Sequence, residues 1–295
     1  MSDKVSIPTP RNLQPGDDFY QNISTVKGIE GQQMAFEPAA ELIEIPSHGY
    51  LYKDITDDPD ILEKGGIRVR PMTVHEEKIL STPRLIKSGQ ALDMLFANVI
   101  KSKGKNDEPL DPGLLLSSDR VFIMLWLRSV SYGNVYKFQI TCPNNTCQKR
   151  FEYEVDLSTH PIREMTDTAV KEPFEVTLPM SKYRILFRLP RGKDELEIIK
   201  MQNQPKKMND TDDSIVKRLS SIIIKAYDPN QTELPRQVID SFIESLIAGD
   251  ASYLREELIR LDSGIEDIKG IVCPHCDYEF DTPIPITENF FRSTR

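Results

Sequence analysis

The four cysteines of this 295-residue chain fall in two short phrases, "ITCPNNTCQKRF" at 140–151 and "IVCPHCDYEF" at 271–280. Cys142 and Cys147 are spaced C-x4-C, Cys273 and Cys276 are spaced C-x2-C, and a proline follows the first cysteine of each pair. Two closely spaced thiols on a turn can offer two ligands to one metal ion. Together, Cys142, Cys147, Cys273 and Cys276 are expected to hold one structural Zn2+. That ion accepts four thiolates in a tetrahedron, and the closed shell leaves no position for a substrate or an activated water. Its ligands come from distant parts of the chain, so its binding energy would become folding energy and clamp those parts together. Unligated thiols beside turn-forming prolines, iron–sulfur ligation and disulfides are the competing uses of the same residues. His275 lies inside the second phrase and is expected to face solvent, because four thiolates already complete the shell.

No other pattern offers a seat for catalysis. The stretch "HEEKI" has Ile79 where a zinc-protease helix would carry its second histidine, and "RGKDE" lacks the upstream glycine of a phosphate loop. His48, His75 and His160 are isolated and are expected in loops or on the surface. The acidic stretches "DITDDPD" (54–60) and "NDTDDS" (209–214) lack the glycine and the downstream glutamate of a calcium loop. The chain is therefore expected to be no enzyme. Its formal net charge of -9 is scattered rather than blocked, which argues against bulk nucleic-acid or anionic-membrane binding. The first residues carry neither a basic nor an apolar leader region, so the thiols are expected to mature in a reducing cytosol. The most apolar run, 114–130, is broken by Asp119, Arg120 and Arg128 and is too short for a membrane span. It is expected to be a buried helix.

The elements that must carry the cysteines can be placed by periodicity. Residues 1–40 show no sustained period and are expected to form an extended arm that orders against a partner. From 41 to 157 the chain shows short strands around an acidic loop. A helix capped by Thr73 with Glu76 three residues on comes next, followed by one carrying Leu92, Leu95, Phe96 and Val99 and one around Trp126. Alternation then places Tyr136, Phe138 and Ile140 on one face and Phe151, Tyr153 and Val155 on the returning strand, a hairpin tipped by Cys142 and Cys147. A linker is expected at 158–171. Over 172–295, a strand pair turns at 179–182, and helical stripes follow at Ile215, Leu219, Ile222, Ile223 and Ala226, at Val238, Ile239, Phe242 and Leu246, and at Leu254, Leu258 and Leu261. The last stripe stops at Gly264, a candidate helix-terminating glycine.

Laid side by side, residues 119–143 and 250–274 align without a gap. Asp119 meets Asp250, Gly133 meets Gly264, and Cys142-Pro143 meets Cys273-Pro274; four residues separate the second cysteine from a phenylalanine in both, Phe151 and Phe280. Upstream, Pro71 can be paired with Pro190 and Glu76 with Glu195. The expected fold is α+β, with two pseudo-repeated halves of short strands, helices and a cysteine-tipped hairpin, joined through a zinc-ribbon-like four-cysteine site.

The combination of "IPSHGYLY" (45–52), "IRVRPMTVHEEKIL" (67–80), Tyr132-Gly133 before a strand, and "TCPNNTC" followed by "FEYEVDL" resembles the baseplate hub and hub-assembly family of contractile-tailed, T4-type bacteriophages. The resemblance covers about 41–157, and reaches the second half through the internal repeat. It implies a virion or virion-assembly protein made in the host cytoplasm, located at the tail baseplate, working through contacts with other baseplate and tail proteins and without enzymatic activity. The extra residues in the first knuckle and the long arm depart from the family pattern, leaving open a permanent hub subunit or a transient assembly factor. The alternative function is a nucleic-acid-binding zinc ribbon. Lys137, Lys149, Arg150 and Lys269 would serve it, but Glu152, Glu154, Asp277, Glu279 and Asp281 stand among them and would repel phosphate.

Overall fold

A computed structural model describes residues 37–166, 171–203, 214–286 and 290–291. Most of the expected arm, and all of "NDTDDS" but Ser214, lie outside the described residues. Strands β1 (Glu41–Glu44) and β2 (Gly66–Val69) pair antiparallel with Ile43 opposite Ile67, and the loop between them carries a one-turn helix α1 (Pro59–Leu62) capped by the Asp58 side chain. Helix α2 (Val74–Leu80) begins where the sequence indicates: Thr73 Oγ1 accepts from His75 N–H, and the Glu76 carboxylate accepts from Thr73 N–H at 2.8 Å. Helices α3 (Pro83–Ser88) and α4 (Gln90–Val99) follow, the latter burying Leu95, Phe96 and Val99. Helix α5 (Ser117–Tyr132) is buried through Phe122–Leu127. The charges that interrupt its apolar run are also buried and matched. Arg120 meets Asp93 at 2.8 Å, and Arg128 donates to Gly133 O at 3.0 Å.

After α5 come β3 (Val135–Thr141) and β4 (Arg150–Asp156), an antiparallel pair with Ile140 opposite Phe151. Residues 158–166 are tied to the far end of the chain. Strand β5 (Ile162–Arg163) pairs with β9 (Gly264–Ile265), and His160, expected in a loop or on the surface, lies in a loop but is buried, with Nε2 2.6 Å from Glu266 O. Strands β6 (Phe174–Thr177) and β7 (Arg184–Phe187) form a hairpin, and α6 (Gly192–Gln202) and α7 (Ser214–Ile222) follow.

Here the structure departs from the periodicity. Ile223 and Ala226 belong to β8 (Ile223–Tyr227), a third strand against β7, rather than to a continuing helix. A bulge opposite Leu186–Phe187 leaves out Ile224, so residues three apart face the same core and imitate a helical stripe. Helix α8 (Ile239–Glu244) is followed by α9 (Ala248–Leu261), which ends at an extended Asp262. Gly264 does not terminate it. At φ +141° it opens β9 (Gly264–Ile265), where an added Cβ would stand 3.4 Å from Ser118 Cβ. Strands β10 (Ile268–Val272) and β11 (Glu279–Thr282) close the chain's second cysteine hairpin.

The protein is therefore mixed α+β, built from small antiparallel sheets. Among the described residues, two apolar cores form. One gathers β1, β2, α4 and α5 and also takes in Ile268, Ile271 and Ile284 from the chain's end. The other fills the space between the β6–β7–β8 sheet and α7, α8 and α9. Among the described residues, no helix is long and apolar enough to cross a membrane.

Candidate metal centre

Both cysteine hairpins are shaped by the same local hydrogen bonds. Cys142 N–H donates to Lys149 O at 3.0 Å, and Cys273 N–H donates to Tyr278 O at 3.0 Å, each reaching two residues past the second cysteine of its pair. The residue after that second cysteine, Gln148 or Asp277, takes a left-handed conformation (φ +48° and +55°), which folds the turn so that both sulfurs point the same way. The wider first turn is filled by Asn144, whose Oδ1 accepts from Thr146 N–H and Oγ1. Its Nδ2 lies 3.9 Å from Cys276 Sγ in the other hairpin. Residue type alone gave no sign of Asn144; the C-x4-C spacing, which needs something to fill the turn, is the signal that could have found it.

The four sulfurs expected to meet do meet. All lie within 4.8 Å of one another, with Cys142 Sγ 3.7 Å from Cys276 Sγ and Cys147 Sγ 3.9 Å from Cys273 Sγ. Each short contact thus joins the first cysteine of one pair to the second cysteine of the other. A tetrahedron with metal–sulfur bonds of about 2.3 Å has edges of about 3.8 Å, so this donor set fits Zn2+ in both chemistry and size. Cys142 and Cys273 are buried while Cys147 and Cys276 are partly open, and no disulfide links them. His275 is exposed on the rim.

Burial, together with S–H donation among the thiols, pushes Cys142 up to about 12. Against its own burial, Cys273 is brought down to about 7 by N–H donation from His275 and S–H donation from its neighbours. A cation entering the cluster must displace the protons of the thiols that bind it. Phe151 and Phe280, one from each hairpin, pack edge to face with centroids 6.4 Å apart, and their cross-strand partners Ile140 and Ile271 are buried.

Outside the cysteine hairpins, buried carboxylates form two pairs of alike sites, Glu76 with Asp194 and Asp119 with Asp250. Glu76 takes a two-pronged ion pair from Arg70 (2.9 and 3.2 Å), and Asp194 takes one from Arg188 (2.7 and 2.7 Å); each acid is the third residue of its helix and also accepts the N–H of the residue just before that helix, Thr73 or Arg191. These pairs align Glu76 with Asp194, one position away from the sequence pairing with Glu195. Asp119 and Asp250, the third residues of α5 and α9, are fully buried and reach back into the loop of the preceding strand pair. Asp119 accepts from Ser47 N–H (3.1 Å), Ser47 Oγ and Tyr52 Oη. Asp250 accepts from Met180 and Ser181 N–H, both at 2.8 Å. The six-residue step from arginine to acid was present in the sequence as a sign of the Arg70–Glu76 and Arg188–Asp194 pairs.

Fold and site together define an α+β protein assembled around a cluster of four cysteines. A family model described as T4 bacteriophage base plate protein matches residues 56–292, most of the chain and both cysteine pairs. The chain belongs to that family. No match is found among curated proteins or among solved structures.

Proposed function

We propose that this protein is a non-enzymatic structural or assembly component of the hub of a contractile phage tail baseplate, whose two halves are clamped by one Zn2+ on Cys142, Cys147, Cys273 and Cys276. The observation that carries the reading is the convergence of four distant thiols at tetrahedral spacing in a member of the base plate family. Its partners are other baseplate and tail proteins, and its place is the virion tail, reached by assembly in the host cytoplasm. Four protein thiolates would fill the metal's shell, so the ion would stabilise the fold and would not activate water.

The halves, 41–157 and 172–295 on either side of the 158–171 linker, are read as repeats of one unit. Matching turns around the cysteines, the paired Asp119 and Asp250, and the paired Arg70–Glu76 and Arg188–Asp194 bridges support this. The lysines near the hairpins favour protein contacts over nucleic acid, since Lys137 is paired with Glu154 and Lys269 with Asp281.

Elemental analysis of the purified, reduced chain should give one zinc per molecule. Zero, or a ratio near two, would contradict a shared site. Cross-linking within purified particles should connect the chain to baseplate subunits, and its absence from both particles and assembly intermediates would contradict the hub role.

A further inference from the structure

Away from the cysteines, one half of the molecule grips the other through a short backbone bridge. Just before α5, Leu116 is extended (φ -58°, ψ 142°), and just before α6, Arg191 is extended (φ -123°, ψ 164°). The two segments pair antiparallel: Ser117 N–H donates to Pro190 O at 2.9 Å and Gly192 N–H to Leu115 O at 3.0 Å. Leu116 and Arg191 are buried in the junction. Gly192 is required there because a Cβ would fall 1.7 Å from Arg120 Nη1.

Each side of this junction has a counterpart that the chain leaves unused. Before α9, Ile247 repeats the backbone of Leu116 (φ -59°, ψ 134°); before α2, Thr73 repeats that of Arg191 (φ -114°, ψ 176°). Among the described residues, Ala248 N–H, Leu246 C=O, Val74 N–H and Met72 C=O, which correspond to the four bridging groups, make no hydrogen bond. Apolar side chains stand open at both places: Ile247 is 49% exposed beside Met180 at 58%, and Val74 is 65% exposed. The steric pairing also reverses in a compatible way. Gly192 makes room for Arg120 in the internal junction, whereas Val74 would face the small Ala251, the residue at Arg120's position in α9.

We propose that the segment before α9 of one copy docks on the segment before α2 of a second copy, reproducing between chains the bridge that joins the halves within one chain. Ala248 N–H would donate to Met72 C=O of the second copy, and the second copy's Val74 N–H to Leu246 C=O, with Ile247, Met180 and Val74 buried between them. The two surfaces differ, so the contact is head-to-tail and propagates into a ring or an open chain. It draws on the correspondence of the halves proposed above but not on the metal.

Sedimentation velocity of the full-length, zinc-loaded chain over a concentration series tests it. The wild-type chain should associate beyond a dimer. Val74→Glu and Ile247→Asp should each weaken self-association at least about tenfold, because each leaves a charge buried in the contact. Both positions are exposed in the single chain, so unchanged thermal midpoints would show that the fold is intact. Mixed in equal amounts, the two variants should give a one-to-one dimer and nothing larger, since each keeps one intact surface. A wild-type chain that stays monomeric, a variant that associates like wild type, or a mixture that stays monomeric would overturn the proposal. One zinc per chain in a monomeric protein would leave the metal centre standing.

Discussion

Asp262 and Glu76 carry opposite pH dependences into the fold. Asp262, half-buried at the end of α9, accepts from Ser118 Oγ at 2.8 Å, and burial followed by the nearby Asp119 carboxylate pushes it up to about 6. Its contribution is fully present below the unfolded value near 3.8 and is lost as pH rises through 6, a difference of about 2–3 kcal/mol. Against its burial, donation from Arg70 and Thr73 holds Glu76 at about 2, so its contribution is present above about 4.5 and is lost as pH falls toward 2. Asp262→Asn should therefore be more stable than the parent near neutral pH, with the gain vanishing near pH 4; Glu76→Gln should be less stable near neutral pH, with the deficit closing in acid. Denaturant midpoints along a pH series check both, and differences that do not change with pH would contradict the assignment. At this scale the cysteines were legible because residue type and spacing together restrict their chemistry. The loop position of His160 was legible too, but its burial was not, because a lone histidine gives no sign of the carbonyl that will bury it.

The elements that begin with a local signal were the easiest to place. Thr73 with Glu76 starts α2 through bonds made within four residues, and the period-2 alternation around Cys142 and Cys147 becomes a hairpin. Residues 223–227 were hidden because an isoleucine-rich run suits helix and strand alike, and only the neighbouring β7 decides between them. Where the two hairpins meet, Phe151 and Phe280 should be energetically coupled. A double-mutant cycle to alanine is expected to give about 0.5–1.5 kcal/mol of interaction, the usual worth of an edge-to-face pair beyond its buried area. Additive single effects would mean that the hairpins touch without supporting each other.

Across the whole molecule, the chain's last hairpin packs on the first half's core while the second half's helices build a second core, so the middle of the sequence and its last part close on the four sulfurs. The sequence showed which cysteines would meet, but the off-register alignment of Glu76 and the exposed edges at Val74 and Ile247 needed coordinates, because backbone conformation and burial are set by packing across the fold. A structural zinc contributes about 10–16 kcal/mol in peptide systems, comparable to the whole stability of a domain at about 5–15 kcal/mol. Losing one ligand of a shared site must then loosen both hairpins. The most direct measurement is amide hydrogen exchange of Cys276→Ser against the zinc-loaded parent. The shared clamp predicts faster exchange around both Phe280 and Phe151, and faster exchange confined to the neighbourhood of Phe280 would contradict it.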